Sequence, residues 1–212
     1  MKTYAYIDAS NLFYGGEKSL GFKIDYKKLG QYLKLKYQAE RILYFGGVEA
    51  HNYPFDYLKQ DSIDIDHLKD HLLELLRGQK DNIDIPDAKT ILLHRHLQRA
   101  KFFSKLKQFG YHLFLKPVKA YWDQVFEIKK RKANCDVDMT LRMMLDKDSF
   151  DRVLILSGDG DFLPVLKYLK KIGKEVLVLA RGERTAREIR QFAGPNFRDF
   201  ARLRAFVEFK EK

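Results

Sequence analysis

The chain has 212 residues, 45% of them hydrophobic and 14% aromatic, which is ample for a packed core and excludes wholesale disorder. Lysine and arginine number 40 against 29 acidic residues, a formal charge of +11. So basic a surface attracts polyanions through counterion release and makes nucleic acid the leading partner class. Cys135 is the one cysteine, excluding an intrachain disulfide and a cysteine-based zinc site, and no apolar run approaches the ~20 residues that cross a bilayer. No membrane partner and a cytoplasmic location are the resulting expectations. Nothing in the sequence bears on oligomeric state.

The first residues read as a strand rather than a signal peptide: Thr3 to Ala9 is apolar and reaches a carboxylate at Asp8, ahead of Ser10-Asn11. Asp25 is placed to cap a helix running to about Tyr37, with Leu29, Tyr32 and Leu33 on one face. Arg41 to Val48 forms a second strand. Residues 49–93 are less regular and read as an insertion or elaboration on the core. They hold one amphipathic helix, marked by Ile65, Leu68, Leu72 and Leu76. A further helix is expected over His94–Phe109, with Phe102, Leu106 and Phe109 on one face and Gly110 as its terminator.

Tyr111 to Lys116 returns as a strand, followed by a basic, aromatic stretch: Lys116, Lys119, Tyr121, Trp122, Lys129, Lys130, Arg131 and Lys132. Asp136 to Asp146 is helical by the spacing of Val137, Leu141, Met144 and Leu145. Arg152 to Leu156 is a buried-type strand leading into Ser157-Gly158-Asp159-Gly160-Asp161. Phe162 to Ile172 is a helix closed by Gly173, and Lys174 to Ala180 is the last central strand. Strands alternating with helices, and near-continuous apolar runs such as Val153–Leu156, predict an α/β fold. The expected architecture is a Rossmann-like parallel sheet flanked by helices on both faces. A single domain spans 1–212, with 192–212 as a C-terminal extension.

Open α/β sheets bind ligands beyond the carboxyl ends of their strands. Asp8 ends the first strand, Asp159 and Asp161 follow the Arg152–Leu156 strand, and Asp136 and Asp138 begin the helix before it. Clustered carboxylates repel unless a hard divalent cation joins them, and Mg²⁺ and Mn²⁺ prefer oxygen ligands. Such an ion acidifies water and stabilises charge on an attacked phosphate. Local readings compete at most positions. Asp136 and Asp161 each stand where an N-cap belongs, Asp159 lies between two turn glycines, and Asp138 is four residues before Arg142. Asp8 has no such local explanation.

Three segments carry a resemblance: Ile7-Asp8-Ala9-Ser10-Asn11, Lys132-Ala133-Asn134-Cys135-Asp136-Val137 and Ser157-Gly158-Asp159-Gly160-Asp161-Phe162. In order and spacing they resemble the signatures of the NYN family, over residues 3–181. The resemblance implies a PIN-like, Rossmannoid fold and metal-dependent RNA cleavage. Carried over position by position, it makes Asp8, Asp136 and Asp159 the metal-binding carboxylates, with Asp161 as a further ligand or water-orienting group. Asn11 and Ser157 take positioning roles beside the site. The chain departs from the family in having Arg142 where many relatives have an acid, a place that Asp138 could fill. The stretch Phe192 to Phe200 matches the family's C-terminal pattern poorly.

The expected function is hydrolysis of phosphodiester bonds, in RNA first, with Mg²⁺ or Mn²⁺ as cofactor. DNA stays open, because nothing in the sequence reads a 2′-hydroxyl. The alternative is a non-catalytic module of the same fold that binds nucleic acid or a regulatory protein. Lys116, Lys119, Trp122, Lys130, Arg131 and Lys132 suit backbone contact and stacking, though a basic loop with inward-packed aromatics explains them equally. Arg181, Arg184, Arg187 and Arg190 follow the last strand at i, i+3 and would form a basic ridge beside the sheet's carboxyl edge, which Glu183 and Glu188 dilute toward a mixed surface helix. His67 and His71 have a zinc-compatible spacing but read as a solvated helix face, and His94 and His96 as an exposed helix start. Cys135 reads as a small packing residue rather than a nucleophile.

Overall fold

The structure is a computed structural model that describes residues 1–78, 88–123 and 128–210, side chains over 120–132 excepted. The first strand is β1 (Thr3–Asp8), and a continuous helical stretch follows it: α1 (Ala9–Asn11), a π-helical segment (Leu12–Glu17) and α2 (Lys18–Leu20). Gly21, at φ +69°, ends it in the left-handed conformation that glycine tolerates. Next come α3 (Tyr26–Tyr37), β2 (Ala39–Val48), α4 (Ile65–Arg77), α5 (Ala88–Gln108) and β3 (Tyr111–Pro117). The chain continues through β4 (Lys119–Asp123), β5 (Ile128–Lys132), α6 (Asp136–Asp146), β6 (Arg152–Leu156) and α7 (Leu163–Lys171). It closes with β7 (Glu175–Ala180), α8 (Arg187–Ala193), β8 (Phe197–Asp199) and α9 (Arg204–Val207).

Six strands form a parallel sheet in the order β3-β2-β1-β6-β7-β8, flanked by helices. The α/β class read from the alternating elements is therefore the fold. β1 and β6 lie at the centre, and in both every position from the second residue of the strand to Ile7 and Leu156 is at most 6% exposed. This is why their sequences are apolar without alternation. β4 and β5 pair as a separate antiparallel ladder from Lys119↔Lys132 to Asp123↔Ile128. The stretch read as a basic loop is thus a ladder. Its Trp122, Lys130, Arg131 and Lys132 side chains lie outside the described ones.

Contacts divide the chain into two compact units: Met1–Phe45 with Phe109–His112 and Cys135–Lys212, and Gly46–Gln108 with Leu113–Asn134. In the second unit Asp64 caps α4 by accepting from Asp66 N and His67 N, and α4 packs on α5. There α5 begins at Ala88, ahead of the expected start at His94, so His96 falls mid-helix and is 6% exposed rather than on an exposed helix start. Phe103 (0% exposed), not Phe102, fills the core with Leu106. His71 is partly buried and its Nε2 lies 3.1 Å from the His51 carbonyl, so the solvated face holds for His67 but not for His71.

In the first unit Asp25 caps α3 as expected, accepting from Lys28 N at 3.0 Å. The apolar pattern of α6 is reversed: Met139 and Met143 are buried, whereas Val137 (71%), Leu141 (57%) and Leu145 (66%) are exposed. A helical stripe of either register satisfies the period, and α6 resolves the choice in favour of the methionines because its inner face also holds buried Asp146. The Arg181–Arg190 row does not share one helix. A 3₁₀ turn at Gly182–Arg184 breaks it before α8, so no regular ridge forms.

Candidate active site

β1 and β6 pair in parallel with Ile7 opposite Leu156, so Asp8 and Ser157 leave the sheet side by side. Ser157, 1% exposed, donates from Oγ to Asp8 Oδ2 at 3.0 Å. The other oxygen, Oδ1, accepts from Ser10 N (3.0 Å) and Asn11 N (3.1 Å). Asp8 is therefore an N-cap, a local role that its sequence context did not suggest. One turn on, Asn11 Oδ1 accepts the N–H of Gly158 at 3.0 Å. Two side chains thus stitch the strand ends together in opposite directions.

The Ser157-Gly158-Asp159-Gly160-Asp161 segment is shaped by the same bonds. Asp159 N donates to Ser157 Oγ at 3.2 Å, and Asp159 Oδ1 accepts from Asp161 N at 3.0 Å, capping a 3₁₀ turn. The cap is therefore Asp159, not Asp161, which lies exposed inside the turn. Gly158 is required by packing: a Cβ there would sit 2.6 Å from Thr185 Oγ1 and 2.9 Å from Thr185 Cα. Its carbonyl accepts from Ala186 N at 2.9 Å, and Thr185 Oγ1 donates to the Arg181 carbonyl at 2.7 Å. The turn after β7 thus braces the loop after β6.

Burial pushes the Asp8 carboxyl above the usual aspartate range, and the negative charge of Asp136 adds to the shift. Hydrogen bonds from Asn11, Ser157 and Ser10 oppose it only in part. Asp136 and Asp138 occupy the first turn of α6, where the helix dipole favours carboxylates, while Cys135 takes the N-cap position without a side-chain capping bond. The N-cap expected of Asp136 therefore belongs to its neighbour.

At its other end α6 meets β1 again. Tyr6 Oη donates to Asp146 Oδ2 at 2.9 Å, and Arg142 grips the same carboxylate through Nε and Nη2, both at 2.9 Å. Arg142 thus neutralises buried Asp146. Tyr6 and Asp146 escaped the sequence reading because a tyrosine inside an apolar strand and an aspartate ending a helix each look ordinary.

A divalent cation suits the donor chemistry here. The donors are hard carboxylate oxygens, Asp8 has no ion pair among the described residues, and like charge from Asp136 already disfavours its ionised form. Among the described residues no three His, Cys, Asp or Glu groups gather closely enough to hold a metal. Two carboxylates suffice for Mg²⁺, which usually completes its shell with waters and substrate phosphates. Lys116 is partly buried and Lys119 lies over the Tyr57 ring at 4.2 Å, both in the second unit. Arg184 is exposed, and Arg181 is held by Glu183 (2.6 Å) and Asp199 (3.5 Å).

A parallel α/β sheet with paired carboxylates beyond its central strands defines a Rossmann-like domain of the kind the sequence motifs indicated. The NYN domain family model matches residues 86–200, more than half of the chain, and the chain belongs to that family. The match takes in Asp136 and Asp159, and it runs through Phe192–Phe200, the stretch that fitted the pattern poorly. The low amplitude and bright protein LabA of Synechococcus elongatus is 27% identical over 112 residues, covering 52% of this chain and 60% of that protein. A solved protein of unknown function from Vibrio parahaemolyticus shares the fold at 20% identity and TM-score 0.57, covering 92% of this chain and 90% of that one. The T5 D15 protein, crystallised with metal ions, is a more distant likeness (TM-score 0.44, 16% identity, 90% and 59% covered). No helix among the described residues is long and apolar enough to cross a membrane.

Proposed function

We propose that this protein is a divalent-metal-dependent nuclease that hydrolyses phosphodiester bonds, with RNA as its substrate. The observation that carries the reading is Asp8: a half-buried carboxylate at the carboxyl edge of a central strand, within electrostatic reach of Asp136, with no cation paired to it among the described residues. Asp8 and Asp136 would hold Mg²⁺ or Mn²⁺, with Asp159 and Asp161 one strand away and Asp138 in reserve on α6. When bound, the ion supplies charge stabilisation at the attacked phosphate and a more acidic water. The chain's own residues do the rest. Ser157 and the Ser10 and Asn11 amides fix the Asp8 carboxylate, and Asn11 ties the β6 loop to β1. The net charge of +11 draws in the phosphate backbone.

A second reading has its own support. Two of the three hydrogen bonds to Asp8, from Ser10 N and Asn11 N, are ordinary capping bonds, as they would be in a non-catalytic module that binds nucleic acid or a regulatory protein. Cleavage of end-labelled RNA and matched DNA with Mn²⁺, Mg²⁺ or chelator, in wild type and Asp159→Asn, separates the two. Metal-dependent cutting lost in the variant supports the nuclease. Tight binding without cutting in either protein supports the module.

A further inference from the structure

Beside the acid site, the carboxyl ends of β7 and β8 and the C-terminal half of α3 enclose a cavity of about 610 Å³. Four arginines line it, Arg181, Arg190, Arg198 and Arg202, with the rings of Tyr32 and Tyr37 on the α3 side. Two carboxylates also line it, Glu183 and Asp199, and both are engaged by the one guanidinium of Arg181 (2.6 and 3.5 Å). The other three arginines therefore leave the wall with excess positive charge. Among the described residues Arg190 and Arg198 donate to backbone carbonyls, Gly182 for the first and Pro195 and Phe197 for the second. Arg202 is exposed and makes no ion pair among the described residues.

Guanidinium groups converging on one space fit a phosphate, whose oxygens accept their paired N–H donors. The cavity is much too large for phosphate alone and falls within the ~300–1,000 Å³ typical of small-ligand sites. Tyr32 and Tyr37 meet edge to face, centroids 6.0 Å apart; Tyr37 is 7% exposed and Tyr32 also packs on Phe206, so aromatic contact for a base falls to the half-buried Tyr32 ring. The cavity also adjoins the carboxylates. Arg181 Cβ and Asn11 Oδ1 both lie within 4 Å of where a Cβ on Gly15 would be, at 3.7 and 3.5 Å. β7 ends two strands from β1, roughly 10 Å across the sheet at ~4.8 Å per strand.

We infer that this arginine-lined cavity binds a nucleoside phosphate with a terminal phosphomonoester, the arginines taking the phosphate and the half-buried Tyr32 ring lying against the base. The inference deepens the nuclease reading and rests on it for the ligand's source: the phosphorylated end of a strand whose next linkages reach Asp8. A free mononucleotide offers the same chemistry. The cavity thereby makes the enzyme sensitive to the end of its substrate.

The test is equilibrium binding by fluorescence anisotropy in chelator, where cutting cannot occur. Internally labelled oligoribonucleotides carry a 5′-phosphate, a 3′-phosphate or hydroxyls at both ends, and adenosine monophosphate serves as competitor. The expected result is at least tenfold tighter binding of one phosphorylated end, lost in Arg202→Gln and in Arg198→Gln. Both variants change side chains on the exposed wall and must keep the wild-type melting curve. Equal affinity for all three strands, with adenosine monophosphate binding directly and weakened by Arg202→Gln, supports the cavity with the free nucleotide as its ligand. Equal affinity and no mononucleotide binding overturn the inference. Because the assay contains no metal, it can fail while Asp159-dependent cleavage stands, and the reverse.

Discussion

Tyr6 and Asp146 are joined where β1 meets the end of α6, the phenol donating to a carboxylate that is 5% exposed, at 2.9 Å. Asp8 lies two residues after Tyr6 on the same face of β1, and Asp136 lies at the opposite end of α6 from Asp146. The helix therefore runs antiparallel to the strand, with one acid contact at each end. The contact with Asp146 is neutralised by Arg142. Burial and the Asp146 carboxylate hold the Tyr6 phenol far above the usual tyrosine range, so it stays a donor at every working pH.

Tyr6→Phe removes one hydrogen bond to a charged group and leaves Asp146 its guanidinium. The expected cost is about 1.5–3 kcal/mol, read as a lower urea midpoint at unchanged m. Asp146→Ala strands both the phenol and Arg142, so a larger loss is expected from it than from the tyrosine variant. Equal midpoints for the two variants would count against Asp146 as the shared partner of Tyr6 and Arg142.

In chelator, Asp8→Asn is expected to melt a few degrees above wild type at neutral pH. The sign follows from the raised Asp8 carboxyl: below the unfolded pKa both states hold the proton and nothing is lost. As pH rises through the folded pKa, the folded state is forced to ionise a buried group and stability falls. The gap between variant and wild type should therefore close as the pH drops below the ordinary aspartate range. A variant less stable than wild type at pH 7 would show that the cap's charge stabilises instead.

Divalent metal should reverse that order. At a concentration about a hundredfold above Kd, Mn²⁺ stabilises by about 2.7 kcal/mol, or roughly 5–10 °C in a chain of this size. Wild type is expected to show the shift in scanning calorimetry, and Asp8→Asn and Asp136→Asn to lose most of it. A full shift in both variants would move the ion to other residues.

Ser157→Ala deletes the donor to Asp8 Oδ2 and the acceptor for Asp159 N in one step. The Asp8 carboxyl should rise further, and cleavage should need several-fold more metal for half-maximal rate. An unchanged metal requirement would reduce Ser157 to a packing residue.

Gly158→Ala drives a Cβ into the Thr185 backbone and is expected to cost about 1–3 kcal/mol by overpacking. Gly160→Ala meets only the mobile end of Glu188, at 2.5 Å from Oε1, and should cost less. Urea denaturation of the two variants side by side checks the ranking.

Composition, period and motif spacing determined a good deal here. The short apolar runs of β1, β6 and β7, bounded by turn signals, matched strands covered on both faces, and the alternation of strands with helices pointed to the parallel sheet. Asp25 and Gly110 marked helix ends because capping chemistry is local. The three acidic motifs were visible because each is contiguous in the chain. Tertiary structure decided everything that depends on which groups meet. Helical period alone could not choose between Val137–Leu141–Leu145 and Met139–Met143 as the inner face of α6, since each stripe repeats every four residues. Nor could it show that Asp8 caps a helix, that Arg142 serves Asp146, or that arginines from the β7 turn, α8 and β8 surround one cavity. Those facts arise from parallel strands placing residues about 150 positions apart side by side, with Ser157 against Asp8 as the clearest case, at a separation of 149.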